Sequence, residues 1–387
     1  MREVSAQVLR DCALPNGAIV AAHGEHQPPT AVSYHYVWGR DAAHQLEGAQ
    51  ALGMSDAAAI RAGFIGWVLE RAPGVAEFTG DDSSRLLRKR NYINGPNDRS
   101  YNDDGGFQPD NNGLLLAAID ATRQYPDAND DRAMRLLANG LAARWDTSRQ
   151  HFNMLVQDQW ENALAGPTEG IIFTPSLLAA AHGLHCAVLS LKGKATDSER
   201  EVWEQAYTQM RDQFLAASVA DTSGFYKKRL YGTSNQLDAG LALAIPDLLP
   251  PHASELVRRM GAETIRRIGE LLLEPPYGAR RYIGDTYDGI ETAQGIEGGA
   301  GAWPLLGYAW TRAARHFGMT EQAADIQAAM DDHLQTLYDQ GILPPYRVPE
   351  QLFPIGDPRN GKGPVHFGWG SAEWALADRD RRLAEAS

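Results

Sequence analysis

Cysteine is scarce in this chain: 387 residues hold two, Cys12 and Cys186. Two thiols build neither a disulfide framework nor a four-cysteine metal site. Cys186 sits in the apolar run Leu184-His185-Cys186-Ala187-Val188-Leu189, where a buried reduced thiol is expected. No apolar run approaches the length of a membrane span. The opening residues Met1-Arg2-Glu3-Val4-Ser5 carry no apolar stretch of the secretory kind. Basic residues are outnumbered, with Lys+Arg 36 against Asp+Glu 49 and a net charge of −13. A net acidic surface disfavours nucleic acid and anionic membrane, so neither is an expected partner. These absences predict a soluble, cytoplasmic protein with no metal and no cofactor.

Other common signatures are missing as well. His35 and His44 lack metal-ligand spacing and read as surface or loop histidines. Ser33, Ser176 and Ser371 stand outside any nucleophile-elbow pattern. The run Gly298-Gly299-Ala300-Gly301 has no following Lys-Ser/Thr and no preceding strand, which argues against a phosphate cradle.

What is present is helical periodicity with 43% apolar residues, enough for a sizeable core without disulfides. Helices are expected at Asp41–Leu52 and Ala57–Arg71, the second capped by Ser55-Asp56. Further pairs follow at Asn112–Gln124 with Asp130–Trp145, Thr174–Leu191 with Ser198–Ala217, and Leu237–Ile245 with Ala253–Leu272. The series continues with Ala302–Phe317 and Glu321–Tyr338, then Trp369–Ala384, whose partner is Glu3–Asp11. That is about twelve helices with little strand, and with Pro and Gly placed in the loops. No composition shift or linker divides residues 1–387, so one domain is expected.

An array of helix pairs buries its inner faces by closing into an (α/α)6 barrel or by curving as an open solenoid. The unusual loops decide for the all-α closed barrel. They fall before the first helix of successive pairs, at residues 34–41, 91–111, 158–173, 226–236, 278–301 and 344–368. In an alternating barrel those six loops open at one end and line a crater.

Three of these loops carry residues suited to sugar chemistry. Two carboxylic acids across one cleft are the minimum for breaking a glycosidic bond. Asp158-Gln159-Trp160-Glu161-Asn162 sets a carboxyl beside an indole, whose desolvation would raise a carboxyl pKa toward that of a general acid. The alternative is a surface Glu, and Glu169 in the same loop is a rival. Glu350, in Pro349-Glu350-Gln351, is framed by prolines that restrict its backbone, as suits a base holding a water. The alternative there is a solvent-facing connector.

Arg40-Asp41 offers donors and acceptors for adjacent hydroxyls, or else a helix cap beside a salt bridge. Tyr34, Tyr36, Trp38 and Trp160 could stack on a pyranose or simply pack in the core. Gln108 and Asp110 lie in the second crater loop. Arg280-Arg281-Tyr282, Asp285 and Tyr287 lie in the fifth.

In order and nearly over its whole length, the chain resembles glycoside hydrolase family 15, the glucoamylases and glucodextranases. Tyr34-His35-Tyr36-Val37-Trp38-Gly39-Arg40-Asp41 is similar to the family's aromatic-Trp-x-Arg-Asp signature, and Gln108-Pro109-Asp110 to its Gln-x-Asp loop. Trp160-Glu161 resembles its acid motif and Pro349-Glu350-Gln351 its base motif. Leu237-Asp238-Ala239 and Ala302-Trp303-Pro304-Leu305-Leu306 resemble two helix starts, and Trp369-Gly370-Ser371-Ala372-Glu373 the closing segment.

The resemblance implies an (α/α)6 barrel, inversion at the anomeric carbon and release of β-glucose from a non-reducing end. It gives Glu161 the acid role and Glu350 the base role. It puts Arg40 and Asp41 on the terminal glucose, Tyr34 near the base, and Arg281 on the innermost sugar. Trp38, Gln108, Asp110, Trp160 and Trp369 complete the expected substrate-binding set. Many members carry a second acid after the general acid, where this chain has Asn162, which bears on linkage preference. The expected partner is a short oligosaccharide. An inverting pair would stand about 6.5–9.5 Å apart. A sugar-binding barrel that lacks catalysis, a sugar epimerase with paired histidines and a polysaccharide lyase are the competing classes; the histidine-poor loops and acidic charge disfavour the last two.

Overall fold

A computed structural model describes residues 1–386 except 25–27, 29–33, 73–82, 88–90, 92, 94–106, 125–126, 162–163, 167–168, 170, 221, 231–235, 250–252, 288–298 and 345–346. Among the described residues there are twelve α-helices. They are α1 (Arg2–Cys12), α2 (Gly39–Ala51), α3 (Ala57–Arg71), α4 (Pro109–Ala121), α5 (Ala128–Ala142), α6 (Thr174–Ser190), α7 (Asp197–Ala220), α8 (Leu241–Leu248), α9 (Glu255–Leu271), α10 (Pro304–His316), α11 (Thr320–Asp339) and α12 (Gly368–Ala386). Three two-residue antiparallel ladders also occur: β1 (Trp145–Asp146) with β2 (His151–Phe152), β3 (Val156–Gln157) with β4 (Leu164–Ala165), and β5 (Leu273–Glu274) with β6 (Gly278–Ala279). They brace loops and form no common sheet.

The helices alternate between two rings. In the inner ring α2 packs on α4, α4 on α6, α6 on α8, α8 on α10, α10 on α12, and α12 back on α2. That closure rules out the open solenoid and gives the (α/α)6 barrel. The outer helices α1, α3, α5, α7, α9 and α11 cover it.

Burial follows from ring position. Thirteen of the 17 residues of inner α6 are buried, against six of the 24 in outer α7. The six in α7, Trp203, Ala206, Met210, Phe214, Ala217 and Ser218, form one stripe at helical spacing. An inner helix has partners all round, so its sequence reads apolar or small on every face.

Glycine inside the inner helices departs from the expectation that it stays in loops. A Cβ on Gly113 of α4 would lie 2.3 Å from the Ala179 carbonyl oxygen, and one on Gly183 of α6 would lie 2.4 Å from the Gly113 carbonyl oxygen. The two backbones touch only because neither position has a side chain. Pro246 likewise lies within α8.

Helix starts also shift. α4 begins at Pro109, which needs no hydrogen-bond acceptor in a first turn, and not at Asn112. α8 begins at Leu241, because Asp238 ties back to the Gly240 N–H (2.8 Å) and holds residues 238–240 as a turn. The expected cap of α3 is absent: Asp56 occupies the N-cap position, but its carboxylate pairs with Arg10 of α1 at 2.7 Å. Among the described residues no helix is long and apolar enough to cross a membrane. Cys12 and Cys186 are both buried and unpaired, and burial raises both thiol pKa values.

Candidate active site

The segments that precede the inner helices meet at one end of the barrel, and side chains stitch them together. Tyr34 reaches Glu350, Trp38 reaches Glu161, Gln108 reaches Asp158, and Trp160 reaches Asp238. Arg281 lies 4.9 Å from the ring centre of Trp303, at the start of α10. These links join residues before α2, α4, α6, α8, α10 and α12. The amino ends of the inner helices therefore face this mouth, and their positive ends favour the first-turn carboxylates Asp41 and Asp110.

Two neighbouring aromatic side chains each hold one of the expected acids. The Tyr34 hydroxyl donates to Glu350 Oε1 at 2.6 Å, and the Trp38 indole N–H donates to Glu161 Oε1 at 2.8 Å. The Tyr34 and Trp38 rings meet edge to face with centres 5.6 Å apart. Chain segments nearly two hundred residues apart thus deliver both carboxyls to one pair of rings.

Glu350 is 1% exposed. Its N–H donates to the Pro364 carbonyl (2.8 Å), the Gln351 side chain accepts from the Gly301 N–H (2.8 Å), and Leu352 exchanges backbone bonds with Ala302. Hydrogen bonds, as well as prolines, aim this side chain. Burial raises its pKa to about 8, while the Tyr34 hydroxyl and the Arg281 guanidinium pull it down. Glu350 Oε2 is buried and accepts no hydrogen bond from the described residues. The phenols Tyr34 and Tyr287, whose hydroxyls touch, are held well above the ordinary tyrosine value, chiefly by burial and then by the charge of Glu350. Both remain neutral donors.

Glu161 is half-buried and sits in a tight turn, its N–H bonded to the Asp158 carbonyl (3.0 Å) and its own carbonyl to the Gln157 amide (2.7 Å). Its φ is +62°, a left-handed conformation that a residue with a Cβ adopts at a cost.

The floor of the mouth is charged. Arg40 donates to Asp110 at 2.9 Å, lies 3.4 Å from Asp41 and stands 5.0 Å from the ring centre of Trp369. Asp110 also accepts from Ser176 (3.1 Å), so both its oxygens serve protein groups. Burial lifts the Asp41 carboxyl to about 6 against the pull of Arg40 and His44. Arg281, 3% exposed, forks onto Asp285 at 2.6 and 2.5 Å among Trp160, Tyr282, Tyr287 and Trp303.

No family model and no curated protein matches the sequence. Solved structures match the fold. A wild-type glycosidase aligns over 99% of this chain and 96% of its own, with a TM-score of 0.69 and 19% identity. A bacterial glucoamylase complexed with acarbose aligns over 98% of this chain and 55% of its own, with a TM-score of 0.67 and 15% identity. The glucoamylase from Saccharomycopsis fibuligera aligns over 100% and 94%, with a TM-score of 0.65 and 14% identity.

The chain has the glucoamylase fold. At such identities the likeness establishes the fold and not the chemistry, which must be argued from the site.

Within the glucoamylase fold, the eleven residues expected at the site fall into three settings. Tyr34, Trp38, Glu161 and Glu350 form the pair of held acids. Arg40, Asp41, Asp110 and Trp369 form the floor, with Gln108 fully buried behind them and donating to the Asp158 carbonyl at 2.7 Å. Trp160 and Arg281 stand together, the guanidinium 5.7 Å from the indole ring centre. The Trp160 indole N–H points to Asp238 (2.8 Å) and its ring stacks on Trp369 with centres 6.2 Å apart, so the indole that touches Glu161 belongs to Trp38 and not to its sequence neighbour. Glu169, the rival acid, is exposed. Asn162, Ser33 and Gly298 lie outside the described residues.

His44 is a correction. It is 7% exposed, stacks on Trp369 with centres 5.2 Å apart and pairs with Glu373 of α12 at 2.7 Å. An inner helix leaves no surface for a histidine, and the buried carboxylate of Glu373 compensates its charge; that partner holds the His44 pKa above its ordinary value despite burial.

Lys228 was missed by sequence reasoning. The segment Tyr226–Arg229 alternates buried and half-buried residues, a period of two that turns Lys228 inward beside buried Tyr226. The string Tyr226-Lys227-Lys228-Arg229 itself shows no alternation of residue type, so the inward turn appears only in the fold.

Proposed function

We propose that this protein is a glycoside hydrolase: an inverting, exo-acting enzyme that releases β-glucose from the non-reducing end of short α-glucosides. The substrates are α-1,6-linked, such as isomaltose, or α-1,4-linked maltooligosaccharides. One observation carries the reading: Glu161 and Glu350, remote in sequence, are each hydrogen-bonded to one of two touching rings at the mouth of an (α/α)6 barrel.

The chemistry is a single displacement. Glu161 gives its proton to the glycosidic oxygen as the bond from that oxygen to the anomeric carbon breaks. Water forms the new bond to the anomeric carbon from the opposite face and loses a proton to Glu350. Each carboxyl accepts from one ring, so the roles rest on the resemblance of Trp160-Glu161 to the acid motif and of Pro349-Glu350-Gln351 to the base motif, and the second oxygen of Glu350 suits the base. Glu350 Oε1 is tied to Tyr34, a donor that favours the ionised carboxylate, and Oε2 is left to accept from water. Burial raises the Glu350 pKa, so the base ionises only well above the ordinary carboxylate range. Arg40 and Asp41 supply donors and acceptors for the hydroxyls of the terminal glucose. The aromatic walls supply apolar ring faces. The two buried thiols fit the cytoplasmic setting that belongs to this reading.

The test is glucose release from maltose, isomaltose, nigerose, kojibiose and trehalose by the wild type and by Glu350→Gln. The expected result is turnover of at least one α-glucoside by the wild type and none above background by the variant. Equal rates for both proteins would refute the assignment.

A further inference from the structure

Lys228 lies outside the pair of acids, yet the acid-bearing turn is built around it. It is 5% exposed. Its ammonium lies 2.6 Å from Asp158 Oδ2 and 3.5 Å from Asp238 Oδ2, and 4.5 Å from the ring centre of Tyr282. Both carboxylates lead to Glu161. Asp158 supplies the carbonyl that receives the Glu161 N–H, and the same carbonyl accepts from the Gln108 amide. Asp238 receives the indole N–H of Trp160, the residue just before Glu161, at 2.8 and 3.0 Å. The backbone of Lys228 is fixed in turn, with its carbonyl accepting from the Thr174 N–H at the start of α6 and its N–H donating to the Gln236 carbonyl.

We propose that Lys228 is a positioning residue for the general acid. It draws Asp158 and Asp238 together and so clamps residues 158–161 in the turn that holds Glu161 in its left-handed conformation. Three facts support this. A non-glycine residue at φ +62° stays there only when its surroundings over-determine it. Two buried carboxylates side by side repel, and a shared cation removes that repulsion. Lysine, a point charge, can serve two carboxylates at once without the planar geometry that a guanidinium demands. Among the described residues Lys228 touches neither Glu350 nor Arg40, and its two carboxylate partners are the ones that frame the acid-bearing turn.

This inference rests on the hydrolase reading, and the experiment separates the two. Fluoride leaves without help from a proton donor, whereas a sugar alkoxide needs one. Lys228→Met and Asp158→Asn are therefore compared with the wild type on α-glucosyl fluoride and on the best disaccharide substrate, with thermal unfolding recorded for each. The expected result is a disaccharide kcat that falls at least ten-fold further than the fluoride kcat, with Lys228→Arg recovering part of the difference. Equal losses on both substrates, or no loss, would overturn the clamp. If Lys228→Met does not fold, Asp158→Asn decides by the same ratio. A wild type inactive on every glucoside and on the fluoride would instead sink the hydrolase reading itself.

Discussion

The two carboxyls held by the neighbouring rings of Tyr34 and Trp38 are prepared in opposite ways. Glu350 is set by burial: a proline-framed segment, pinned to Ala302 and Pro364, delivers it almost fully desolvated, and its pKa rises to about 8. Glu161 is set by backbone strain and charge: it is half-buried, sits at φ +62°, and is held by Asp158, Gln157 and the ion cluster around Lys228. One side stores the cost of function in electrostatics, the other in conformation. The two costs should respond to different substitutions.

The largest contrast is in turnover. Replacing either Glu161 or Glu350 by Gln should lower kcat on disaccharides by about 10²–10⁴-fold, the usual worth of a positioned acid or base. The two variants should part on α-glucosyl fluoride, which Glu161→Gln still cleaves at a substantial rate and Glu350→Gln does not. Similar residual rates on the fluoride would remove the distinction between the two sides.

Stability comes next. The folded chain keeps a proton on Glu350 that the unfolded chain releases above the ordinary carboxylate value. Between that value and about 8 the fold therefore loses stability as pH rises; below it this penalty vanishes. Glu350→Gln should stabilise the protein by about 4 kcal/mol at pH 8 and by little at pH 4, measured by denaturant unfolding. An equal gain at both pH values would mean that charge burial is not the cause.

The pH profile sharpens the base side further. kcat/KM of the wild type should rise with pH as Glu350 ionises, with its acid limb well above the ordinary carboxylate range. Tyr34→Phe removes a hydrogen bond that favours the ionised form, so the limb should move to higher pH with a several-fold loss of rate below it. Trp38→Phe, which touches the other acid, should leave that limb in place.

The smallest effect tests the strain. Glu161→Gly should abolish turnover on disaccharides yet stabilise the fold by about 1 kcal/mol, because glycine adopts a positive φ without penalty. Destabilisation would show that the Glu161 side chain contributes more than its conformation costs.

Much of this was legible in the chain. The spacing of the helix pairs and the position of the long loops gave a closed ring and its open end, and the ring closure from α12 back to α2 bears that out. Glu161 and Glu350 could be singled out as candidates because Trp160-Glu161 and Pro349-Glu350-Gln351 are local strings. What could not be read was which side chain each residue touches. Trp160 adjoins Glu161 in sequence, but the turn sends its indole to Asp238 and brings Trp38 to the acid. The burial that raises the Glu350 carboxyl was equally unreadable from its proline-framed string. His44 and Lys228 look like ordinary surface residues until their distant partners Glu373, Asp158 and Asp238 fold against them. Gly113 and Gly183 signal a close helix contact only once α4 and α6 are known to be neighbours.

The central claim is that Glu161 and Glu350 work in one displacement from opposite faces of a terminal α-glucose. Anomer-resolved ¹H NMR of the first minutes of glucoside hydrolysis tests it most directly. The account predicts that the β-anomer signal appears first, with the α-anomer growing only as mutarotation proceeds. Initial release of α-glucose would contradict it.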